Sequence, residues 1–195
     1  VTHPDAIVVG AGMVGAWTAL GLAERGLRVL VVERLFPGAG STGAAMGHLV
    51  VMDDTPAQLA LCRHSVSRWH GVAPTLGASA EYDRAGTLWL AATDVEQQAA
   101  VVKCALYRAA GLAAEVLDAA GLAEVEPALA PGLVGGLRIP GDAICYPPTA
   151  ARELLERAVA CGATCISADV VGIERGGIRC ADGTTHSAGH VVVAA

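Results

Sequence analysis

Residues 5–34 read DAIVVGAGMVGAWTALGLAERGLRVLVVER, and this stretch decides the fold. Asp5 to Val9 is a short apolar strand, Met13 to Arg25 reads as a helix capped by Gly26, and Arg28 to Glu33 is a second buried strand. Strand, glycine loop, helix and strand within about thirty residues make a βαβ unit. The strands are continuous Val/Leu runs, as expected for a parallel sheet covered on both faces. Between the first strand and the helix, Gly10, Gly12 and Gly15 stand in a G-x-G-x-x-G spacing. Alone that pattern is weak. Here it follows a strand, opens a helix and is answered by an acid at the end of the next strand, which is the context the fingerprint demands. Gly10 permits the tight turn, Gly12 lets backbone approach a pyrophosphate, and Gly15 lets helix pack closely on strand. The helix N-terminus offers free N–H groups and the positive end of its dipole. Glu33, 21 residues after Gly12, is placed to accept from a ribose 2′-hydroxyl and would repel a 2′-phosphate, so NAD and FAD remain and NADP is disfavoured.

The next segment departs from a simple NAD domain, which usually continues into its next helix here. Residues 38–48, GAGSTGAAMGH, form a loop of small residues just after the ribose acid. Small side chains let backbone N–H groups approach a flat ligand or a phosphate, and Ser41 and Thr42 add two hydroxyl donors. Further on, Thr55, Pro56 and Gln58 make a helix start with a capping box. Asp53 and Asp54 precede that helix and favour its N-terminus through its dipole. A strand follows at Gly86–Ala91, then a helix capped by Asp94 with Gln97 three residues on, then a brief strand at 116–117. Asp118 caps a short helix, Val134–Ile139 is another strand, and Pro147 and Pro148 open a helix ending at Gly162. Three short strands, a turn at Asp182-Gly183 and the final run HVVVAA complete the chain.

Composition narrows the function classes. Of 195 residues, 53% are hydrophobic and 16% charged, so disorder is excluded. Lys and Arg number 13 against 19 Asp and Glu, a net charge of −6 with no basic run, and only 4% of residues are aromatic, which argues against nucleic acid. Residues 6–23 carry no charge, but four glycines interrupt them and no basic cluster flanks them, so they read as the phosphate loop and not as a transmembrane segment or signal peptide. Six cysteines with no C-x-x-C read as reduced thiols of a cytoplasmic protein. His186 and His190 have metal-like spacing, but they lie across a loop and offer two ligands where zinc needs three or four; no metal is expected.

With these motifs in place, the chain resembles the FAD-dependent D-amino-acid oxidase and dehydrogenase family, which includes glycine oxidase and D-hydroxyproline dehydrogenases. The resemblance covers nearly the whole chain: residues 5–34, the GSTGAAMG loop, RAGTLWLAATD (84–94), AEVEPALAPGLVGGLRIPGDAICYPP (123–148) and residues 163–195. The first motif is common to many flavoproteins; the loop and the EPALAP…YPP stretch are more specific. The resemblance implies an α/β fold, a Rossmann-like FAD domain of the glutathione-reductase type with an inserted α+β substrate-side segment. Residues 1–75 and 141–195 would form the FAD-binding domain and 76–140 the N-terminal part of the substrate domain.

The same likeness implies residue roles. Met13 and Val14 pack under the FAD pyrophosphate, Glu33 holds the adenosine ribose with Arg34 beside it, and Ser41 and Thr42 touch the pyrophosphate. Met46, Gly47 and His48 run along the ribityl chain and flavin ring, Val170 gives main-chain hydrogen bonds to adenine, and Ala194 and Ala195 begin a second flavin-contacting strand end. Relatives with covalent flavin resemble G-S-T-W-H-A-A-G at the loop; Gly43-Ala44 stands in place of Trp-His, so non-covalent FAD is expected. The implied activity is oxidation of a small amino acid by hydride transfer from Cα to flavin N5. The family is about twice this length, and a final strand of Val and Ala without a polar tail reads as a chain cut short. A second subunit or a C-terminal half is therefore an expected partner, and no catalytic residue can be matched. Arg84 and Arg138, on substrate-side segments, are read as surface residues. The alternatives are a non-catalytic FAD-binding remnant or one piece of a split enzyme, and an NAD-dependent dehydrogenase.

Overall fold

The computed structural model describes residues 3–51 and 55–195. Asp53 and Asp54, read above as dipole partners of a helix, lie outside the described residues. In chain order the elements are β1 (Ala6–Val9), α1 (Met13–Ala23), β2 (Val29–Glu33), α2 (Ser41–Ala44), β3 (His48–Leu49), α3 (Pro56–Val72), β4 (Thr87–Ala91), α4 (Asp94–Ala109) and β5 (Glu115–Asp118). There follow α5 (Ala119–Val125), β6 (Gly135–Ile139), β7 (Ala143–Ile144), α6 (Pro147–Ala160), β8 (Thr164–Ser167), β9 (Val170–Glu174), β10 (Gly177–Cys180), β11 (Thr185–Ser187) and β12 (His190–Val193). They divide into two compact units.

The first unit comprises Val1–Gly47, Thr75–Glu81 and Cys145–Ala195. Its centre is a four-stranded parallel sheet in the order β12-β1-β2-β8. Successive residues of a strand face opposite sides, and the two sides are covered differently. Ile7, Val9, Leu30 and Val32 share a buried cluster with Ile178, Cys180 and Ala188 of the antiparallel β9-β10-β11 meander and the turn after it. The other side carries α1, which packs against α6. Both helices bury small residues, Ala16, Ala19 and Ala23 on α1 and Ala150, Ala151 and Ala158 on α6. Small side chains allow a close helix pair. One cover is thus a β-meander where the Val/Leu runs alone suggested no particular partner. Asp5 fixes the entry to the sheet: its carboxylate accepts from the Arg28 backbone N–H (2.9 Å) and guanidinium (2.6 and 3.0 Å), and this contact holds the Asp5 carboxyl down at about 2.

The second unit comprises His48–Pro74 and Tyr82–Ile144. An antiparallel sheet, β4-β6-β5, is covered by α3 and α4 around a core that includes Leu59, Val66, Cys104, Tyr107, Leu137 and Ile139. The breaks between units fall after Gly47, Pro74, Glu81 and Ile144, so residues 48–74, expected in the FAD-binding domain, belong to the second unit. The physical reason is that α3 buries Leu59 and Val66 in the core of the second unit. Local expectations also need correction. The helix at 94–109 is capped one residue earlier than read: Thr93 accepts from the Glu96 N–H (3.3 Å), and Glu96 accepts from the N–H groups of Thr93 (3.0 Å) and Ala92 (2.7 Å). The loop at 38–47 contains the helical turn α2, and β11 and the β3–β7 pair had no signal in the pattern. Thr55, by contrast, caps α3 with Pro56 at its first position, and Asp118 caps α5 through the Gly121 N–H at 2.8 Å.

Candidate functional site

A cleft of about 360 Å³ opens at the carboxyl ends of β1, β2 and β12 in the first unit. Open parallel sheets place ligands at that end, where strand gives way to loop. Gly10, Gly12, Glu33, Arg34, Ser41, Thr42 and Val170 all line it. These residues come from four separate stretches of sequence, and the sheet order β12-β1-β2-β8 brings them together.

The three motif glycines have different steric reasons. Gly10 has φ +100°, and a Cβ there would lie 2.8 Å from the Ala194 carbonyl oxygen, so the turn and the approach of β12 both need glycine. At Gly15 a Cβ would lie 2.0 Å from the Gly10 carbonyl oxygen, which is the helix-to-strand contact. Gly12 differs: its added Cβ would meet only the Thr42 side chain, 2.9 Å from Oγ1, and otherwise would stand in the cleft that Gly12 lines.

Polar groups complete the cradle. The Met13 N–H, at the first position of α1, donates to Thr42 Oγ1 at 2.9 Å. Thr42 thereby satisfies one of the N–H groups that a helix start leaves free. Glu33 accepts from the Ala11 N–H through Oε2 (2.7 Å) and from the Leu35 N–H through Oε1 (2.8 Å), so its carboxylate is fixed between the glycine loop and its own strand end. Each oxygen keeps a lone pair for a further donor. Arg34 is the cationic side chain of the lining, which also holds the carboxylates of Glu33 and Asp169. Glycine cradle, helix N-terminus and anchored acid are the donor set that the diphosphate and ribose of a dinucleotide take.

Other sequence-predicted residues stand outside this lining. Met13 and Gly15 belong to α1, with Gly15 against the Gly10 carbonyl, Val14 is 67% exposed, and Met46 is 81% exposed. Gly47 is buried with φ +78°, and a Cβ there would lie 1.9 Å from the Cys145 carbonyl oxygen, so it serves the packing of its own loop. His48 opens β3 in the second unit, paired with Ile144. Arg138 is bound to Glu115 across the β5–β6 pair at 2.9 Å. Ala39 and Gly40 of the small-residue loop also line the cleft, as do Ala168 and Asp169, which no motif marks as ligand contacts. Asp169 had one available signal, its place directly before Val170, but only the register of β8 on β2 delivers it. Among the described residues no His, Cys, Asp and Glu group is arranged to hold a metal, no helix is long and apolar enough to cross a membrane, and no disulfide joins the cysteines.

Comparison with known proteins gives this geometry a family. A family model described as FAD dependent oxidoreductase matches residues 5–195. Glycine oxidase from Geobacillus kaustophilus (strain HTA426) is 30% identical over 172 residues, 84% of this chain and 46% of the relative. One subunit of the anaerobic glycerol-3-phosphate dehydrogenase of Escherichia coli (strain K12) is 30% identical over 149 residues, 72% of this chain and 26% of that protein. The crystal structure of glycine oxidase from Geobacillus kaustophilus superposes with a TM-score of 0.85 at 28% identity, covering 100% of this chain and 56% of that one. The chain thus spans about half the length, or less, of the relatives it matches.

Proposed function

The chain belongs to the FAD-dependent oxidoreductase family, and from that premise we propose that its first-unit cleft holds FAD non-covalently and that the protein serves the oxidation of a small amino acid. The substrate class is a D-amino acid, D-hydroxyproline or a glycine-like amine. The observation that carries this reading is the anchored Glu33 beside the open face of Gly12, at the carboxyl end of a parallel sheet in a chain similar to glycine oxidase. Bound FAD would supply the two-electron acceptor for a hydride from the substrate Cα to flavin N5, with an imino acid as the product.

The chain's own residues act by position and electrostatics. The α1 N-terminus and Gly12 receive the pyrophosphate, with Ser41 and Thr42 donating hydroxyls to it; Thr42 can do so while it accepts from the Met13 N–H. Met13 and Val14 support the phosphates, Glu33 accepts from the ribose, and Arg34 balances charge beside it. Val170 offers its main chain to adenine. Met46 and Gly47 would follow the ribityl chain, as the family resemblance implies. Gly43 and Ala44 offer no nucleophile for a covalent flavin link, which supports non-covalent binding. A guanidinium to clamp the substrate carboxylate is not assigned, since Arg138 is engaged by Glu115. A second subunit or further chain would supply it, and six cysteines joined by no disulfide suit a cytoplasmic setting.

A second reading has one observation in its favour: 72% of the chain matches a protein named as a glycerol-3-phosphate dehydrogenase subunit. On that reading a secondary alcohol of a phosphorylated polyol replaces the amine. One experiment separates the readings. The purified chain is loaded with FAD, freed of excess cofactor and mixed anaerobically with glycine, D-proline, D-hydroxyproline or glycerol 3-phosphate. Bleaching of the visible flavin band by an amino acid supports the first reading, and bleaching by glycerol 3-phosphate the second. A yellow protein that no substrate bleaches makes the chain an FAD-binding piece that needs a partner. Failure to retain FAD overturns the cleft assignment.

A further inference from the structure

The second unit contains a cavity of about 290 Å³ that shares no lining residue with the cleft of the first unit. That volume stands at the lower end of the range for ligand pockets, roughly 300–1,000 Å³, so it suits a small molecule. Its floor is apolar, with Val51, Val66 and Ile139 all buried. Arg63 and Ser67 stand exposed at its rim.

One floor residue does not fit an apolar cavity. Asp142 lines it and is 1% exposed. Part of Asp142 has a structural task, pinning the turn between β6 and β7. Its Oδ1 accepts from the Val51 N–H at 3.1 Å, its carbonyl accepts from the Gly86 N–H at 3.0 Å, and its N–H donates to the Ile139 carbonyl at 3.3 Å. Oδ2 has no hydrogen-bond partner among the described residues, and neither does the buried Nε2 of His70, which also lines the cavity. Buried polar atoms are rarely left so in folded proteins. The turn explains one oxygen of Asp142 and leaves the other unexplained.

We propose that this cavity is a second, non-catalytic binding site for a small α-amino acid. The ammonium donates to Asp142 Oδ2, the carboxylate meets Arg63 at the rim, and a short side chain lies among Val51, Val66 and Ile139. Arg63 has donors to spare, because its contact with the Ala110 carbonyl engages one Nη1 hydrogen and a guanidinium carries five. An acid on the floor and a guanidinium at the rim match the two charges that an α-amino acid bears on one carbon. Burial pushes the Asp142 carboxyl up despite the nearby Thr87 hydroxyl and the Val51 N–H, and an ammonium placed on it restores its ionised form. Burial and the Arg84 charge push His70 down, so it adds a neutral hydrogen-bonding edge and no competing cation.

The test does not depend on flavin. The full chain, labelled with nitrogen-15, is titrated with alanine and separately with propionate and ethylamine, each carrying one of alanine's two charges. Saturable amide shifts at Val51, Gly141, Asp142 and Ala143 with alanine, at least tenfold weaker with either half-molecule, are expected. Asp142→Asn should weaken alanine binding at least tenfold. Because that change also touches the turn, Ser67→Trp at the exposed rim is the companion variant; it should abolish the shifts while an FAD titration of the same protein is unchanged. The proposal is overturned if alanine gives no saturable shift at these amides, if propionate or ethylamine alone binds as well as alanine, or if Ser67→Trp leaves binding intact. FAD binding can fail while these shifts persist, so the two readings fail separately.

Discussion

Between Gly10 and Gly15, glycine is required by backbone on two sides: the Gly10 carbonyl faces Gly15, and Ala194 of the neighbouring strand end faces Gly10. Between Gly38 and Gly47 the required glycines press on the start of α6, far along the chain. A Cβ at Gly38 would lie 2.8 Å from the Pro148 carbonyl oxygen, and one at Gly47 1.9 Å from that of Cys145, whereas Gly40 meets nothing within 4 Å. Both loops look alike as strings of small residues. The first is locked by sheet and helix together, and the second leans on one partner and keeps open space at its middle. Glycine content alone does not separate a rigid cradle from a loop that can give way.

Substitutions test that contrast. Gly15→Ala should be the most damaging, because neither β1 nor α1 can retreat from a contact of 2.0 Å; a loss of about 3 kcal/mol or more is expected, read from the urea midpoint. Gly47→Ala combines a clash with a left-handed backbone at φ +78°, yet its loop can yield, so a smaller loss of about 2 kcal/mol is expected. If Gly47→Ala proves the worse of the two, the second loop is the more rigid one and the comparison inverts. Gly12→Ala should leave the melting temperature nearly unchanged, since only the Thr42 side chain must move, but weaken FAD about tenfold or more in a fluorescence titration, roughly 1.4 kcal/mol. Gly40→Ala has room but φ +62° at a position lining the cleft, and should cost about 1 kcal/mol and weaken FAD less than Gly12→Ala does.

The smallest effect concerns pH. Asp5 has a folded-state value of about 2 against an ordinary 3.8, so the folded state binds its proton less readily than the unfolded state. Its contribution is present above about pH 4 and fades as pH falls toward 2. Asp5→Asn should therefore reduce stability slightly at neutral pH and flatten the acid limb of a melting-temperature profile.

The same contrast explains what the sequence made legible. The βαβ unit was readable because its requirements are local: apolar runs, a glycine spacing and a terminal acid all fall within residues 5–34. Glu33 and Gly12 followed from that unit. The place of α3 did not, because Leu59 and Val66 choose their core through α4 and β6, and no periodicity announces that choice. The cap of α4 was missed by one residue because Thr93 and Asp94 are both good capping types; Glu96, three residues after Thr93, was the deciding mark. Asp169 and Ala168 reach the cleft through strand order, which a string of short strands does not encode. Asp142 carries no mark in the sequence; its burial comes from the packing of the turn between β6 and β7.

Glu33 has a last consequence, for kinetics. A free glutamate side chain gives up roughly 1.5–2 kcal/mol of rotamer entropy when it is fixed. Here the N–H groups of Ala11 and Leu35 fix both oxygens as the chain folds. In the proposed assignment an arriving nucleotide meets an acceptor that is already still, so its ribose end docks without waiting for a side chain to find its pose. Association at that end should then be limited by encounter, and Thr42, which accepts from the Met13 N–H, still has its own O–H to give to the phosphate.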